Sequence, residues 1–311
     1  MSRTIVSLLA ALLVALGAVA CSGDGDGAAN GRLKVVATVA PVGALAAEVG
    51  GDHIELRTLV SAGADPHSYE ISSKDRRALS DADVILRNGL GLDRFLDSAL
   101  ADDSEKVVTV TAGVRLRVPN EDSDNHTEDD GHDHGDVDPH VWQDVDNAKV
   151  MVANIAAALA EADPDHAADY RANADAYAAR LDEVDAEVRD LIASIPAENR
   201  KVVVNHDAFG YFTDRYGLEV VGTVIPGLSS TAEPSAREIA ELQETIRREG
   251  VKAIFAEQAI EPRVARRIAE DTGVRIVDDL YGDSLGPEGS GAETVDGMLL
   301  TNARKFAEAL R

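Results

Sequence analysis

Histidine and aspartate residues near the ends of predicted strands are the side chains in this sequence best placed to bind a metal ion. His67 follows the segment IELRTLV, His206 closes the segment KVVVNH, and Asp283 comes just after the segment VRIVDDL. His140 lies where an acidic stretch meets a predicted helix. Three imidazoles and one carboxylate can complete a tetrahedral or near-tetrahedral shell around a divalent cation. The pattern therefore predicts a metal site.

Strands and helices alternate in both halves of the sequence, and this alternation predicts how distant ligands come together. Apolar segments such as LKVVATV and VKAIFAE are typical of buried strands, and helical segments follow them. Such alternation predicts parallel sheets covered by helices on both faces, so the expected fold class is α/β. Ligands of doubly wound sheets bind outside the carboxyl ends of the strands, so residues from both halves can meet in one cleft.

One long, charged helix separates the two alternations and predicts a two-domain architecture. It keeps an apolar stripe over about 45 Å, at 1.5 Å per residue. The expected fold is two doubly wound parallel-sheet domains bridged by this rigid helix. The predicted organisation is a signal peptide at 1–21, a flexible tether at 22–31, an N-terminal α/β domain at 32–165, the linker helix at 166–195 and a C-terminal α/β domain at 200–311.

The first residues are typical of an export signal. An apolar run from Ile5 to Ala20 follows Arg3 and is too short for a comfortable transmembrane helix. Small residues directly before Cys21 resemble a lipoprotein signal, in which cleavage leaves a lipidated cysteine at the N-terminus. The alternative is an ordinary signal peptide cut nearby, with Cys21 incidental. Both interpretations export the protein, and we expect an extracytoplasmic chain held by lipid on the outer face of the cell membrane.

Composition limits the possible partners and the possible core. The formal net charge of -26 repels phosphate and argues against nucleic-acid binding, whereas cations are attracted. Hydrophobic residues make up 45% of the chain but aromatic residues only 4%, so the core should consist mainly of Ala, Val, Leu and Ile. With a single cysteine, no intrachain disulfide can form.

A strongly acidic segment at 120–138 interrupts the first alternation. It contains nine carboxylates but one aliphatic residue, so it cannot offset its ordering entropy by burial and is predicted to be a disordered loop. His126, His132 and His134 lie in this segment. We expect them to bind metal weakly and exchangeably near the cleft. The alternative is a solvated acidic loop in which these histidines are incidental.

Five motifs occur in a characteristic order: DPHSYE, DPHVW, NHDAFGYF, GLSSTAEPS and LYGDSLG. Together they resemble the zinc- and manganese-binding solute receptors of bacterial ABC transporters, over nearly the whole mature chain. The resemblance implies two α/β domains bridged by a rigid helix, with the ion held between them by His67, His140, His206 and Asp283. It also implies a monomeric receptor that captures its metal with high affinity and delivers it to the membrane permease of an ABC importer.

Several carboxylates end strand segments near this site and compete for two roles. Asp278 and Asp279 also end the last strand segment, but the LYGDSLG motif carries the resemblance and favours Asp283 as the fourth ligand. The alternative for Asp283 is a turn-capping role. Glu257 closes another strand segment and could orient a ligand imidazole from behind, although a surface salt bridge is an equal alternative.

The ligand set predicts zinc as the cargo, with manganese as the alternative. Imidazole suits zinc, whereas manganese prefers oxygen ligands and higher coordination. In receptors of this kind, a carboxylate at the position of His206 would give the harder set that manganese favours. The histidine found there gives three nitrogens and one carboxylate, a softer set.

Two functions of other classes compete with the receptor interpretation. The run HDHGD at 132–136 is similar to the H-x-H-x-D motif of binuclear metallohydrolases, but Val137 stands where that motif continues with histidine. Four protein ligands would also leave no open position for a substrate, so we do not expect an enzyme. A surface adhesin is the other alternative, because members of this family have been described as adhesins.

Overall fold

The computed structural model describes three stretches of the chain: residues 31–100, 105–117 and 137–311. The predicted signal peptide and Cys21 lie outside these stretches, as do His126, His132 and His134. The weak metal binding expected of those three histidines therefore stays a prediction. Among the described residues, no helix is both long and apolar enough to cross a membrane.

The first half of the described chain forms a sheet of four parallel strands: β1 (Leu33–Val39), β2 (Ile54–Val60), β3 (Val84–Arg87) and β4 (Val107–Thr109). Their order in the sheet is β2-β1-β3-β4. The last five residues of β1 are buried whichever way their side chains point. This is expected for a central strand that is covered on both faces, and it explains the continuous apolar run in its sequence.

The second half forms another sheet of four parallel strands: β5 (Lys201–Val204), β6 (Glu219–Thr223), β7 (Ala253–Glu257) and β8 (Arg275–Leu280). Their order is β6-β5-β7-β8, which repeats that of the first sheet. The chain leaves β5 in one direction for β6 and later returns to its other side as β7. Sheets with such a reversal bind ligands at the carboxyl ends of the strands beside it, which here are β5 and β7.

The α-helices of the described residues lie between and around these strands: α1 (Ala40–Gly50), α2 (Ser73–Asp81), α3 (Val145–Ala162), α4 (Ala167–Ala193), α5 (Gly210–Tyr216), α6 (Ala236–Glu249), α7 (Arg263–Thr272) and α8 (Val295–Leu310). Ser72 and Asp75 form the capping box predicted for α2. The sequence did not predict α5, because seven residues are too few to display a helical period.

Helix α4 connects the two sheets. It has 27 residues and packs against α1, α3 and α8. Near its start, the side-chain amide of Asn173 donates to the backbone carbonyl of Val49, 3.0 Å away. Further along, the hydroxyl of Tyr177 donates to Asp296 at the start of α8, 2.9 Å away. Two α/β sheets bridged by one long helix confirm the predicted fold class, while the exact domain limits stay a prediction.

The core is mainly aliphatic, as predicted, but it contains one aromatic cluster made of Phe209, Phe212, Phe255 and Phe306. The ring of Phe306 is fully buried, and its centroid lies 4.4 Å from that of Phe255. Phe255 precedes Glu257 by two residues, and Phe209 follows His206 by three. The cluster therefore supports the carboxyl ends of β5 and β7.

Candidate metal centre

Four elements deliver the predicted ligands to one place. His67 lies in a short 3₁₀ turn after β2, and His206 lies two residues beyond the end of β5. His140 precedes α3, and Asp283 lies in the loop after β8. One ligand atom from each of these residues lies within 4.8 Å of the others. The structure thus brings together, from both halves of the chain, a group that could hold a divalent metal ion.

The Asp283 carboxylate lies among the Nε2 atoms of the three imidazoles. Its Oδ1 atom is 2.9 Å from Nε2 of His140. Its Oδ2 atom is 3.1 Å from Nε2 of His206 and 3.2 Å from Nε2 of His67. The ring centroids lie 5.4–5.7 Å apart, and the rings are inclined steeply to one another. The nitrogen lone pairs and the carboxylate therefore face a common point.

The ligands are almost completely removed from solvent. The side chain of His67 is 10% exposed, whereas those of His140, His206 and Asp283 are fully buried. Among the described residues, neither oxygen of Asp283 and neither ring nitrogen of His206 has a partner in hydrogen-bond geometry, despite the short distances. Buried polar atoms without partners are costly, and a bound cation would satisfy those that face the common point.

A carboxylate stands behind each of the two fully buried imidazoles. Asp138 Oδ1 lies 2.7 Å from Nδ1 of His140, and Glu257 Oε1 lies 2.6 Å from Nδ1 of His206. The other oxygen of Glu257 accepts the backbone N–H of Asp283 at 2.9 Å. The hydrogen bond to Asp138 orients the His140 ring, and the Glu257 carboxylate lies at ion-pair distance from Nδ1 of His206, so Nε2 of each ring faces the site. Glu257 is buried, so the alternative of a surface salt bridge is wrong.

Asp138 is a site residue that sequence reasoning missed. The disordered loop predicted at 120–138 includes it, but its side chain is fully buried, so that boundary is wrong at Asp138. A usable signal is the tripeptide D-P-H, which occurs at Asp65 and again at Asp138. In both copies the aspartate accepts the backbone N–H of the histidine two residues later, which is an Asx turn. In the second copy the aspartate is buried, and its carboxylate also lies 2.7 Å from Nδ1 of His140.

Of the three carboxylates considered for the fourth position, only Asp283 reaches the histidines. Asp278 pairs with Arg266, and Asp279 pairs with Lys305, 2.9 Å away. The turn-capping alternative for Asp283 does not describe its surroundings, because both of its oxygens face imidazole nitrogens. The sequence motif therefore selected the carboxylate that the structure brings to the site.

Trp142 and the other two described histidines make structural contacts. The indole N–H of Trp142 donates to the carbonyl of Gly282 at 3.1 Å, which supports the loop that carries the neighbouring aspartate. His53 and His166 stack on each other with centroids 4.0 Å apart, at the start of α4 and away from the candidate site. They pair with aspartates of their own and are structural residues.

Close packing of these groups changes their proton affinities. Burial opposes a charged imidazole, but the charge of Asp283 and the hydrogen bond to Asp138 outweigh it and raise the pKa of His140 to about 10. Burial also opposes a positive charge on His206, but the Glu257 and Asp283 carboxylates outweigh it and raise the pKa of this residue. Burial would raise the pKa of Asp283, yet the three imidazoles lower it. A metal must displace these protons, so its affinity should fall with falling pH.

Comparisons with known proteins agree with this fold and with a metal-binding family. The family model for the periplasmic zinc-uptake complex component A, ZnuA, matches residues 35–309. The manganese-binding lipoprotein MntA of Halalkalibacterium halodurans is 32% identical over 301 residues, which covers 96% of this chain and 96% of that protein. The manganese ABC transporter substrate-binding lipoprotein PsaA of Streptococcus pneumoniae is 30% identical over 313 residues, with 98% of each chain covered.

Solved structures of similar proteins show the same architecture. The periplasmic zinc binding protein TroA from Treponema pallidum matches with a TM-score of 0.80 and 30% identity, over 90% of this chain and 99% of its own. The manganese-bound periplasmic metal binding protein from Candidatus Liberibacter asiaticus matches with a TM-score of 0.76 and 26% identity, over 90% of this chain and all of its own. The chain therefore belongs to the ZnuA family, whose members are substrate-binding proteins of metal ABC transporters and not enzymes.

Proposed function

We propose that this protein captures a divalent transition metal outside the cytoplasm and delivers it to the permease of an ABC importer. The ligands are His67, His140, His206 and Asp283. The observation that carries the proposal is the convergence of their donor atoms within 4.8 Å in a nearly closed site. Four protein donors with no open position suit binding and release of a cargo better than catalysis.

Zinc is the cargo that the ligand types favour. Three imidazole nitrogens and one carboxylate oxygen match the donors and the coordination number that zinc prefers. The carboxylates behind His140 and His206 fit the same preference, because they increase the basicity of the ligating nitrogens.

Manganese is the second candidate, and the names of the relatives support it better than zinc. MntA and PsaA, both at least 30% identical to this chain, are named for manganese. One feature of the site agrees with this. Both oxygens of Asp283 face the imidazoles, so the carboxylate can offer two donor atoms and raise the total to five. Manganese favours such higher coordination and oxygen donors.

A growth experiment separates the two cargoes, whereas affinity does not. Almost any nitrogen-containing site binds zinc more tightly than manganese in vitro, so relative affinity reveals little about the physiological metal. The gene should be deleted and the strain starved with a chelator, and zinc or manganese should then be added. If zinc is the cargo, zinc alone restores growth at concentrations that the parent strain does not need. Rescue by manganese alone would establish the second candidate, and rescue by neither would contradict the importer role.

We also propose that Cys21 carries the lipid that anchors the protein to the outer face of the membrane. The relatives MntA and PsaA are named lipoproteins, which supports the interpretation of the leader sequence. Cys21→Ala should release the protein from the membrane fraction or leave its signal uncleaved. Detergent partitioning and the mass of the mature N-terminus measure this. A Cys21→Ala protein that is processed and anchored like the original would contradict the proposal.

A further inference from the structure

Arg117 lies between two segments of the chain: the one just before His140 and the one just after His206. Its Nη1 atom is 3.4 Å from Asp138 Oδ2 and 3.4 Å from Asp207 Oδ2, and its Nε atom is 3.0 Å from Asp214 Oδ2. Its side chain is 11% exposed. The first of these partners holds the ring of His140, and the second follows His206 directly in the sequence.

Backbone contacts fix the same residues a second time. The backbone N–H of Arg117 donates to the hydroxyl of Tyr211 at 3.0 Å. That hydroxyl donates to the backbone carbonyl of Asp138, also at 3.0 Å. Asp138 is therefore held at its carboxylate by the guanidinium and at its carbonyl by the tyrosine. Its remaining carboxylate oxygen, Oδ1, is directed at His140.

Gly210 provides the space that the guanidinium occupies. A Cβ atom at this position would lie 2.3 Å from Nη1 of Arg117, and the nearest atoms it would meet all belong to that guanidinium. Gly210 is the first residue of α5 and its φ is not positive, so the backbone itself tolerates alanine. Because Gly210 has no side chain, the guanidinium of Arg117 can contact residues in the second half of the chain.

We propose that Arg117 is a positioning residue for the cargo. It fixes the Asp138 carboxylate and thereby the His140 ring, and it ties that ring to the segment that carries His206. The distance between the two buried imidazoles is thus set by an arginine that touches neither. This role rests on the proposed function of the site.

The charge of Arg117 and its positioning role predict opposite effects on metal affinity, so experiments can separate them. A positive charge near a cation site repels the cation, and removing the charge alone would tighten metal binding. Loss of a residue that orients a ligand from behind weakens metal binding by about 10- to 100-fold. We expect the positioning effect to be the larger. Because Arg117 acts on His140 only through Asp138, Arg117→Met should weaken zinc binding by about 10-fold, the lower end of that range.

Gly210→Ala tests position without changing charge. It should displace the guanidinium and weaken zinc binding in the same direction as Arg117→Met. Arg117→Lys keeps the charge and can contact one carboxylate, so it should recover part of the loss. Arg115→Met is the matched control, because Arg115 pairs with the buried Asp144 at 2.7 Å, whereas Arg117 pairs with Asp138 and Asp207 beside the proposed ligands. Its zinc affinity should equal that of the wild type.

The measurements are zinc affinity by competition with a chelator and the ¹⁵N and proton signals of the His140 ring. The Nδ1–H signal reports the hydrogen bond to Asp138 and should shift in Arg117→Met and Gly210→Ala, but not in Arg115→Met. A purely structural role would lower the melting temperature and leave that signal in place. Tighter or unchanged zinc binding in either Arg117→Met or Gly210→Ala overturns the proposal. A wild-type protein that binds no zinc would instead refute the function of the site.

Discussion

Replacing Asp283 by asparagine is expected to weaken zinc binding by more than about 100-fold, because even residues behind a ligand contribute about 10- to 100-fold. Asparagine keeps the shape of the side chain but removes the charge that all three imidazole Nε2 atoms face. The loss should exceed that of any other single isosteric change at the site, since Asp283 is the only anionic ligand among the four proposed.

Asp279→Asn is the control for this experiment. Asp279 lies four residues earlier, pairs with Lys305 and has an exposed side chain. Calorimetric titration of both variants in competition with a chelator should show a wild-type constant for Asp279→Asn. Wild-type affinity in Asp283→Asn, or a large loss in Asp279→Asn, would contradict the assignment of the fourth ligand.

The substitution Asp283→Asn should also change how the stability of the protein depends on pH. The pKa of His140 is about 10 in the folded chain, above the ordinary value of about 6.5 that applies when the chain is unfolded. Its contribution to stability without metal is therefore complete below about pH 6.5 and is lost as the pH rises through about 10. Urea unfolding in chelator should show a weaker dependence on pH over this range in Asp283→Asn. An unchanged dependence would mean that Asp283 does not raise this pKa.

Replacing Phe306 by alanine is expected to lower the free energy of unfolding by about 3–5 kcal/mol, the usual cost of removing a buried phenylalanine. Its ring is fully buried and contacts Phe209, Phe212 and Phe255. Because two of these rings support the strand ends that carry His206 and Glu257, metal affinity should fall as well.

Leu116→Ala provides the comparison for Phe306→Ala. Leu116 is 46% exposed, so its truncation should change the free energy of unfolding by no more than about 0.5 kcal/mol. Urea unfolding of both variants in the presence of a chelator measures the difference. A loss below about 1 kcal/mol for Phe306→Ala would show that the aromatic cluster can collapse around the cavity.

The strands and the proposed ligands could be predicted because each depends on a local pattern. Segments rich in apolar residues predicted the strands, and the positions of His67 and His206 after two of them predicted that their side chains would meet. Choosing Asp283 over its neighbours required the resemblance to a family, since spacing alone left three carboxylates open. The topology then explains the convergence, because both sheets have the same strand order and direct their carboxyl ends to the site.

The residues behind the ligands could not be predicted in the same way. Composition assigned Asp138 to a solvated loop, since its neighbours in the sequence are acidic, and only the tertiary structure shows that it is buried. Arg117 gave no signal, because its partners are 21, 90 and 97 positions away in the sequence. For Glu257, its place at the end of a strand left a surface salt bridge equally open, and only its burial in the folded chain decides against that alternative.

The unequal exposure of the proposed ligands has a kinetic consequence. His67 is the one ligand of the four that solvent reaches, and its short turn is held by Asp65, which also accepts the hydroxyl of Ser230 from the second half of the chain. Exchange of the ion should therefore begin with dissociation from His67. The three buried ligands then determine mainly how strongly the ion is held, and the turn at His67 determines how long it stays. A partner that loosened the contact between Asp65 and Ser230 would shorten that residence time.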